Sequence, residues 1–188
     1  MIGLDIGSVS LNTVVMDESF AILEDWYDYV HGRPFNVLHD RLTKIMHNYP
    51  LSTIRGLAVT GAGARLATAL TGGLYVNEII AQATSASRLF PDVRTVIEIG
   101  GEDSKLIILD KQPDEEYPKL VDFEMNSICA AGTGSFLDQQ ARRIGVKIEK
   151  EFGEMAMRSV SPPRIAGRCS VFAKSDMIHH QQMATPLQ

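Results

Sequence analysis

Two glycine turns constrain what this chain can fold into more than any other feature. The first is Asp5-Ile6-Gly7-Ser8, and the second is Glu98-Ile99-Gly100-Gly101-Glu102-Asp103. Each is opened by an acid and flanked by two β-rich runs. Ile2, Leu4 and Ile6 alternate with small or polar residues, and Leu11 to Met16 is the return run, so the first turn reads as a hairpin. Arg94 to Ile99 and Lys105 to Leu109 read the same way around the second. Turns that join strand to strand are not dinucleotide fingerprints, which join strand to helix. The Walker A pattern G-x-x-x-x-G-K-[ST] is absent from the sequence.

The rest of the chain alternates elements. An apolar stripe on Val37, Leu38, Leu42, Ile45 and Met46 predicts a helix over 36–49, stopped by Pro50. A strand over 54–60 ends in Gly61-Ala62-Gly63, and a second helix is expected over 77–90. After Pro91 the strands of the second hairpin appear, then a polar turn from Lys111 to Pro118 and a strand over 120–125. Helices over 150–158 and 171–183 complete the pattern, which is α/β with an internal architectural repeat. The expected lobes are residues 1–91, carrying the first turn, and residues 92–188, carrying the second.

Composition excludes several classes. The mix of 45% hydrophobic and 22% charged residues belongs to an ordinary globular protein. The net charge of −5 is spread without long blocks, so there is no footprint for nucleic acid or an anionic membrane. No run is apolar enough to span a bilayer, and the N-terminus lacks a signal core, so the cytoplasm is the expected compartment. Two cysteines make no disulfide framework.

Glycine turns suit phosphate. They permit positive φ and bring backbone N–H groups close to a ligand. An acid beside a phosphate needs a divalent cation as intermediary, and Mg²⁺ is held by one or two carboxylates plus phosphates. Either turn alone is an ordinary hairpin; their matching positions carry the nucleotide reading. Cys129 opens Cys129-Ala130-Ala131-Gly132-Thr133-Gly134, followed by an amphipathic run with Phe136, Leu137, Ala141 and Ile144 inward and Gly145 as its stop. Cys169 follows far downstream with no C-x-x-C spacing, and spacing alone leaves two buried structural thiols as the better reading.

The flanking residues change that reading. The two turns resemble the phosphate loops of the actin, Hsp70 and sugar-kinase superfamily. Residues Met125 to Asp138, with Arg168-Cys169-Ser170-Val171-Phe172-Ala173 and Gly100 to Lys105, are similar to the activators of 2-hydroxyacyl-CoA dehydratases and the ATPase subunits of benzoyl-CoA reductases. The resemblance implies an actin/Hsp70/sugar-kinase-like (ribonuclease-H-like) two-lobe α/β fold. It implies a homodimer bridged by one [4Fe-4S] cluster, with Cys129 and Cys169 as the ligands from each chain. ATP hydrolysis would then drive one low-potential electron to a CoA-ester dehydratase or reductase. Carried over position by position, Asp5, Glu98 and Asp103 are the catalytic and Mg²⁺ candidates. Gly7, Ser8, Gly100, Gly101 and Lys105 are the nucleotide-binding ones. Thr60 to Gly63 and Glu78 match further family positions without an assigned role.

Two departures qualify this. Glu98 stands where the family commonly has Asp. The family's adenosine-holding Gly-Gly segment after the second cysteine is not in this sequence, so the chain is expected to be an N-terminal fragment with a truncated second lobe that binds nucleotide weakly or not at all. A sugar-kinase-like phosphotransferase explains the turns but not the cysteines. A non-hydrolysing sensor or scaffold of the same fold is the other alternative.

Overall fold

Alternating apolar residues in Ile2–Ile6 (β1) and Ser10–Met16 (β2) fold as an antiparallel pair in the computed structural model, which describes residues 1–126 and 132–186. Ile22–Tyr29 (β3) adds antiparallel to β2, while Leu57–Thr60 (β4) runs parallel to β1 and Leu74–Tyr75 (β5) parallel to β4. The sheet order is β3-β2-β1-β4-β5. Period-2 alternation sends Ile2, Leu4, Ile6, Leu11 and Val15 to one face, where they are buried with Leu38 and Ile45 of helix α1 (Pro34–Asn48). Ala64 and Ala67 of helix α2 (Ala64–Thr71) join the same core. Fully burying side chains such as Ile6, Leu11 and Ile45 contributes roughly 2 kcal/mol each.

Neither β3, α2 nor β5 is expected from the sequence. β3 mixes acids into both of its faces. Asp28 accepts from Arg41 Nε at 2.8 Å and Arg41 also stacks over Trp26 at 4.5 Å, while Tyr49 donates to Glu24 at 2.6 Å. Partners on and just after α1 thus satisfy the acids that break the strand's alternation. In α2 the large residues Leu66 and Leu70 are 53% and 69% exposed, and only alanines face inward. The helix sits close to the sheet because its contact residues are small.

Helix α3 (Glu78–Leu89) begins at Asn77, whose side chain accepts from Ile79 N at 2.9 Å. Thr95–Ile99 (β6), Ser104–Asp110 (β7) and Lys119–Asn126 (β8) form a second sheet in that order. Ile107 and Leu109 are buried with Ile79 and Ala83, and Val93, Val96 and Leu120 pack against them. Helix α4 (Gly134–Ile144) ends at Gly145, which takes φ +78° as its stop residue. A π-helical turn (Ile148–Phe152), α5 (Gly153–Arg158) and α6 (Ser170–Gln182) follow.

The chain divides into two compact units. One is Met1–Val96 with Ile107–Asp122, and the other is Ile97–Leu106 with Phe123–Gln188. Among the described residues no helix is long and apolar enough to cross a membrane.

Candidate functional site

The first hairpin belongs to the first unit. Gly7 N donates to Ser10 O at 2.9 Å and closes the turn. Asp5, at the end of β1, pairs in register with Asn12 on β2 and Thr60 on β4, so these three side chains stand on the face opposite the core. Asn12 Nδ2 approaches Asp5 Oδ2 at 3.4 Å, a long contact. Thr60 Oγ1 is buried with no hydrogen-bond partner among the described residues. Ser8 is exposed at the tip.

Thr60 to Gly63 acquires a role here. Gly63 N donates to Ile6 O at 2.9 Å, which docks the start of α2 on the hairpin. Gly61 takes φ +90° and presses against Asp5, and a Cβ there would meet Ile6 O at 2.7 Å. Backbone on one side and left-handed geometry on the other leave no room for a side chain. Gly61→Ala is expected to lower stability by about 3 kcal/mol and the melting temperature by about 10 °C in thermal unfolding. Melting within about 2 °C of wild type would refute this account.

The second hairpin belongs to the second unit and closes by the same bond, Gly100 N to Asp103 O at 2.9 Å. The expectation of positive φ fails at both hairpins, because neither Gly7 nor Gly100 adopts it. Their glycines serve close approach instead. A Cβ on Gly7 would lie 3.2 Å from Ser10 O, and one on Gly100 would lie 2.9 Å from carboxylate oxygens of both Asp103 and Glu98. Lys105 points inward, its side chain 2% exposed, with Nζ 2.8 Å from Glu98 Oε2 and 2.6 Å from Asp103 Oδ1.

This hairpin is laced to the segment that opens α4. Gly134 N donates to Gly100 O at 2.7 Å, Ser135 N to Gly101 O at 3.1 Å, and Ser104 Oγ to Gly132 O at 2.6 Å. The first amides of α4, which have no partner inside a helix, find theirs on the hairpin. Gly134 permits the contact, since a Cβ there would lie 3.1 Å from Gly100 O. Sequence periodicity misses Thr133 and Gln140, which are buried in this segment as Ala141 is.

Cys129 lies outside the described residues. Cys169 is half-buried at the N-terminal cap of α6, and its carbonyl accepts from Ala173 N at 2.9 Å. The loop leading into it is tied down by Asp176 of α6, which accepts from Ala166 N at 2.8 Å.

A family model described as the BadF/BadG/BcrA/BcrD ATPase family matches residues 2–185. The chain belongs to this family. It is 39% identical over 105 residues to the 2-hydroxyisocaproyl-CoA dehydratase activator of Clostridioides difficile, covering 56% of this chain and 37% of that one. A solved structure of the Clostridium difficile activator of this dehydratase, with bound ADPNP, superposes with a TM-score of 0.83 at 31% identity. The match covers 100% of this chain and 67% of that one. Component A of the Acidaminococcus fermentans (R)-2-hydroxyglutaryl-CoA dehydratase superposes with a TM-score of 0.85 at 27% identity, covering 99% and 69%. The fold is thus the α/β actin-like fold of these activator ATPases. The stretch matched in the first curated relative is little more than a third of that relative's length.

The groups this family implies can be tested against the donors present. Mg²⁺ takes hard oxygen ligands, and the first hairpin offers the Asp5 carboxylate with an orphaned Thr60 hydroxyl next to it in register. That set fits. An Fe–S cluster takes thiolates, and Cys169, half-buried and outside any disulfide, fits as one ligand. Among the described residues no group of three or more His, Cys, Asp or Glu could hold a metal ion.

Proposed function

We propose that this chain is the nucleotide-driven, cluster-bearing part of an activator that delivers an electron to a CoA-ester dehydratase or reductase. One observation carries the reading: three hydrogen bonds of 2.6 to 3.1 Å tie the second hairpin to Gly132–Ser135, just after Cys129. The hairpin that would feel phosphate is therefore bonded directly to the segment that follows a candidate cluster ligand.

The geometry supports the following residue roles. The amides of Gly7 and Gly100 close their own turns, so the backbone N–H groups offered to the phosphates of ATP are those of Ser8 in the first hairpin and Gly101 in the second. Asp5, with Thr60 and Asn12 beside it, holds Mg²⁺ and keeps its charge against the phosphates. Gly100 and Gly101 also accept from the amides of Gly134 and Ser135. A change in what the hairpin holds shifts those carbonyls, and α4 follows. Cys129 and Cys169 bind the [4Fe-4S] cluster together with the same pair from a second copy. Bound there, the cluster supplies a one-electron carrier of low potential.

The test is the iron and sulfide content of anaerobically prepared protein, with ATP hydrolysis on the same sample. The expected result is about four irons per two chains, with hydrolysis. Protein that stays iron-free after reconstitution, in a dimer, overturns the electron-donor reading and leaves the alternative of a sugar-kinase-like phosphotransferase or a scaffold.

A further inference from the structure

The two hairpins correspond residue for residue. The same closing bond pairs Gly7 with Gly100 and Ser10 with Asp103. The acid at the strand end is Asp5 in one and Glu98 in the other, and the residue facing it is Asn12 in one and Lys105 in the other. The second hairpin therefore carries three added charges: Glu102 where the first has Val9, Asp103 where it has Ser10, and Lys105 where it has Asn12; the last two meet in an ion pair.

The added ammonium is buried. Lys105 has a side chain 2% exposed, against 25% for Glu98 and 29% for Asp103. An ammonium so far from water persists only when paired and hydrogen-bonded. Nζ meets one oxygen from each acid, at 2.8 and 2.6 Å. The glycine at position 100 makes this possible, since a Cβ there would lie 2.9 Å from both carboxylates. Lysine suits the place because its charge is compact and carries three donors, where a guanidinium would be planar and wider.

We propose that Lys105 is a built-in cation, filling the position at Glu98 and Asp103 that a divalent ion would otherwise take. It is a positioning residue: it holds two carboxylates against the turn and cancels one of their charges. The second hairpin then keeps its shape without metal, and Mg²⁺ is left to Asp5, which faces the neutral Asn12. Only this last division rests on the reading of the hairpins as phosphate loops.

The test uses the full chain without nucleotide, followed by thermal unfolding in EDTA and in millimolar Mn²⁺, with electron paramagnetic resonance of bound Mn²⁺. Lys105→Gln leaves two carboxylates facing each other. It should melt roughly 10 °C below wild type in EDTA, as expected when one partner of a buried pair is removed. Mn²⁺ should restore at least half of the loss and show one more bound ion per chain than wild type. Asp103→Ser with Lys105→Asn gives the second hairpin the residues of the first at these two positions, and should melt close to wild type in EDTA. Lys105→Gln melting with wild type, or staying low in Mn²⁺ while the double variant is equally low, overturns the proposal. Should Lys105→Gln fail to fold, the double variant decides: folding supports the proposal and failure overturns it. ATP titration of wild type reports separately on the phosphate-loop reading, so either idea can fail alone.

Discussion

Asp5→Asn should lower the rate of ATP hydrolysis about 100-fold at saturating nucleotide, while the melting temperature moves by no more than about 2 °C. The substitution keeps the shape of the side chain and removes its charge. In the folded chain Asp5 ends β1 on the face opposite the core, with Asn12 and Thr60 in register on either side. The hydrogen bond that Asn12 Nδ2 donates to it is long, at 3.4 Å, and so contributes little. The charge lies outside the apolar core. Its value is to a cation, which in turn offsets the repulsion that phosphate oxygens feel near a carboxylate. Raising Mg²⁺ should recover part of the lost rate, because the weakened site fills at higher concentration. Hydrolysis at the wild-type rate would remove Asp5 from the site. A large fall in melting temperature would mean that the charge is structural.

Much of this arrangement was legible in the residues. Ile2, Leu4 and Ile6 alternate so regularly that β1 and its partner could be placed to within a residue or two, and the folded strands are Ile2–Ile6 and Ser10–Met16. Helix α1, expected over 36–49, occupies Pro34–Asn48, and Pro50 follows it as the stop signal requires. What escaped had physical causes. β3 carries Glu24 and Asp28, whose partners Tyr49 and Arg41 are distant in sequence. A strand whose polar residues are satisfied from another element shows no clean period. α2 turns only alanines inward and exposes its leucines, so its pattern points the wrong way.

The candidate site was legible in part. Asp5, Gly7, Glu98, Gly100 and Asp103 could be named because acid-then-glycine recurs in matching places. Their glycines, however, were expected to supply positive φ, and beside the hairpins that conformation falls instead at Gly61, in a stretch with no assigned role, and at Gly132. Which atom a glycine must approach is a property of two segments at once, and no single stretch of sequence holds it. The same is true of Lys105. Its position beside the second turn suggested phosphate, yet only the folded hairpin shows its ammonium turned onto Glu98 and Asp103.

Cys169→Ala should remove all iron from anaerobically prepared protein. A bridging cluster held by two thiolates from each chain would keep only half its ligands, and half a Cys₄ set does not hold a [4Fe-4S] centre. Fold loss should not confound the result, because Cys169 is half-buried and caps α6 through its backbone carbonyl rather than its thiol. The melting temperature of the iron-free variant should therefore match that of iron-free wild type. A graded companion comes from Asp176. Its carboxylate accepts from Ala166 N at 2.8 Å and pins the loop that leads into Cys169. Asp176→Asn weakens a charge-assisted bond that contributes on the order of 2 kcal/mol. Iron should still be present, and should leave several-fold faster when a chelator is added. Four irons per two chains retained in Cys169→Ala would show that this thiol is no ligand. Equal rates of iron release in Asp176→Asn and wild type would show that the loop is held in place by something other than that carboxylate.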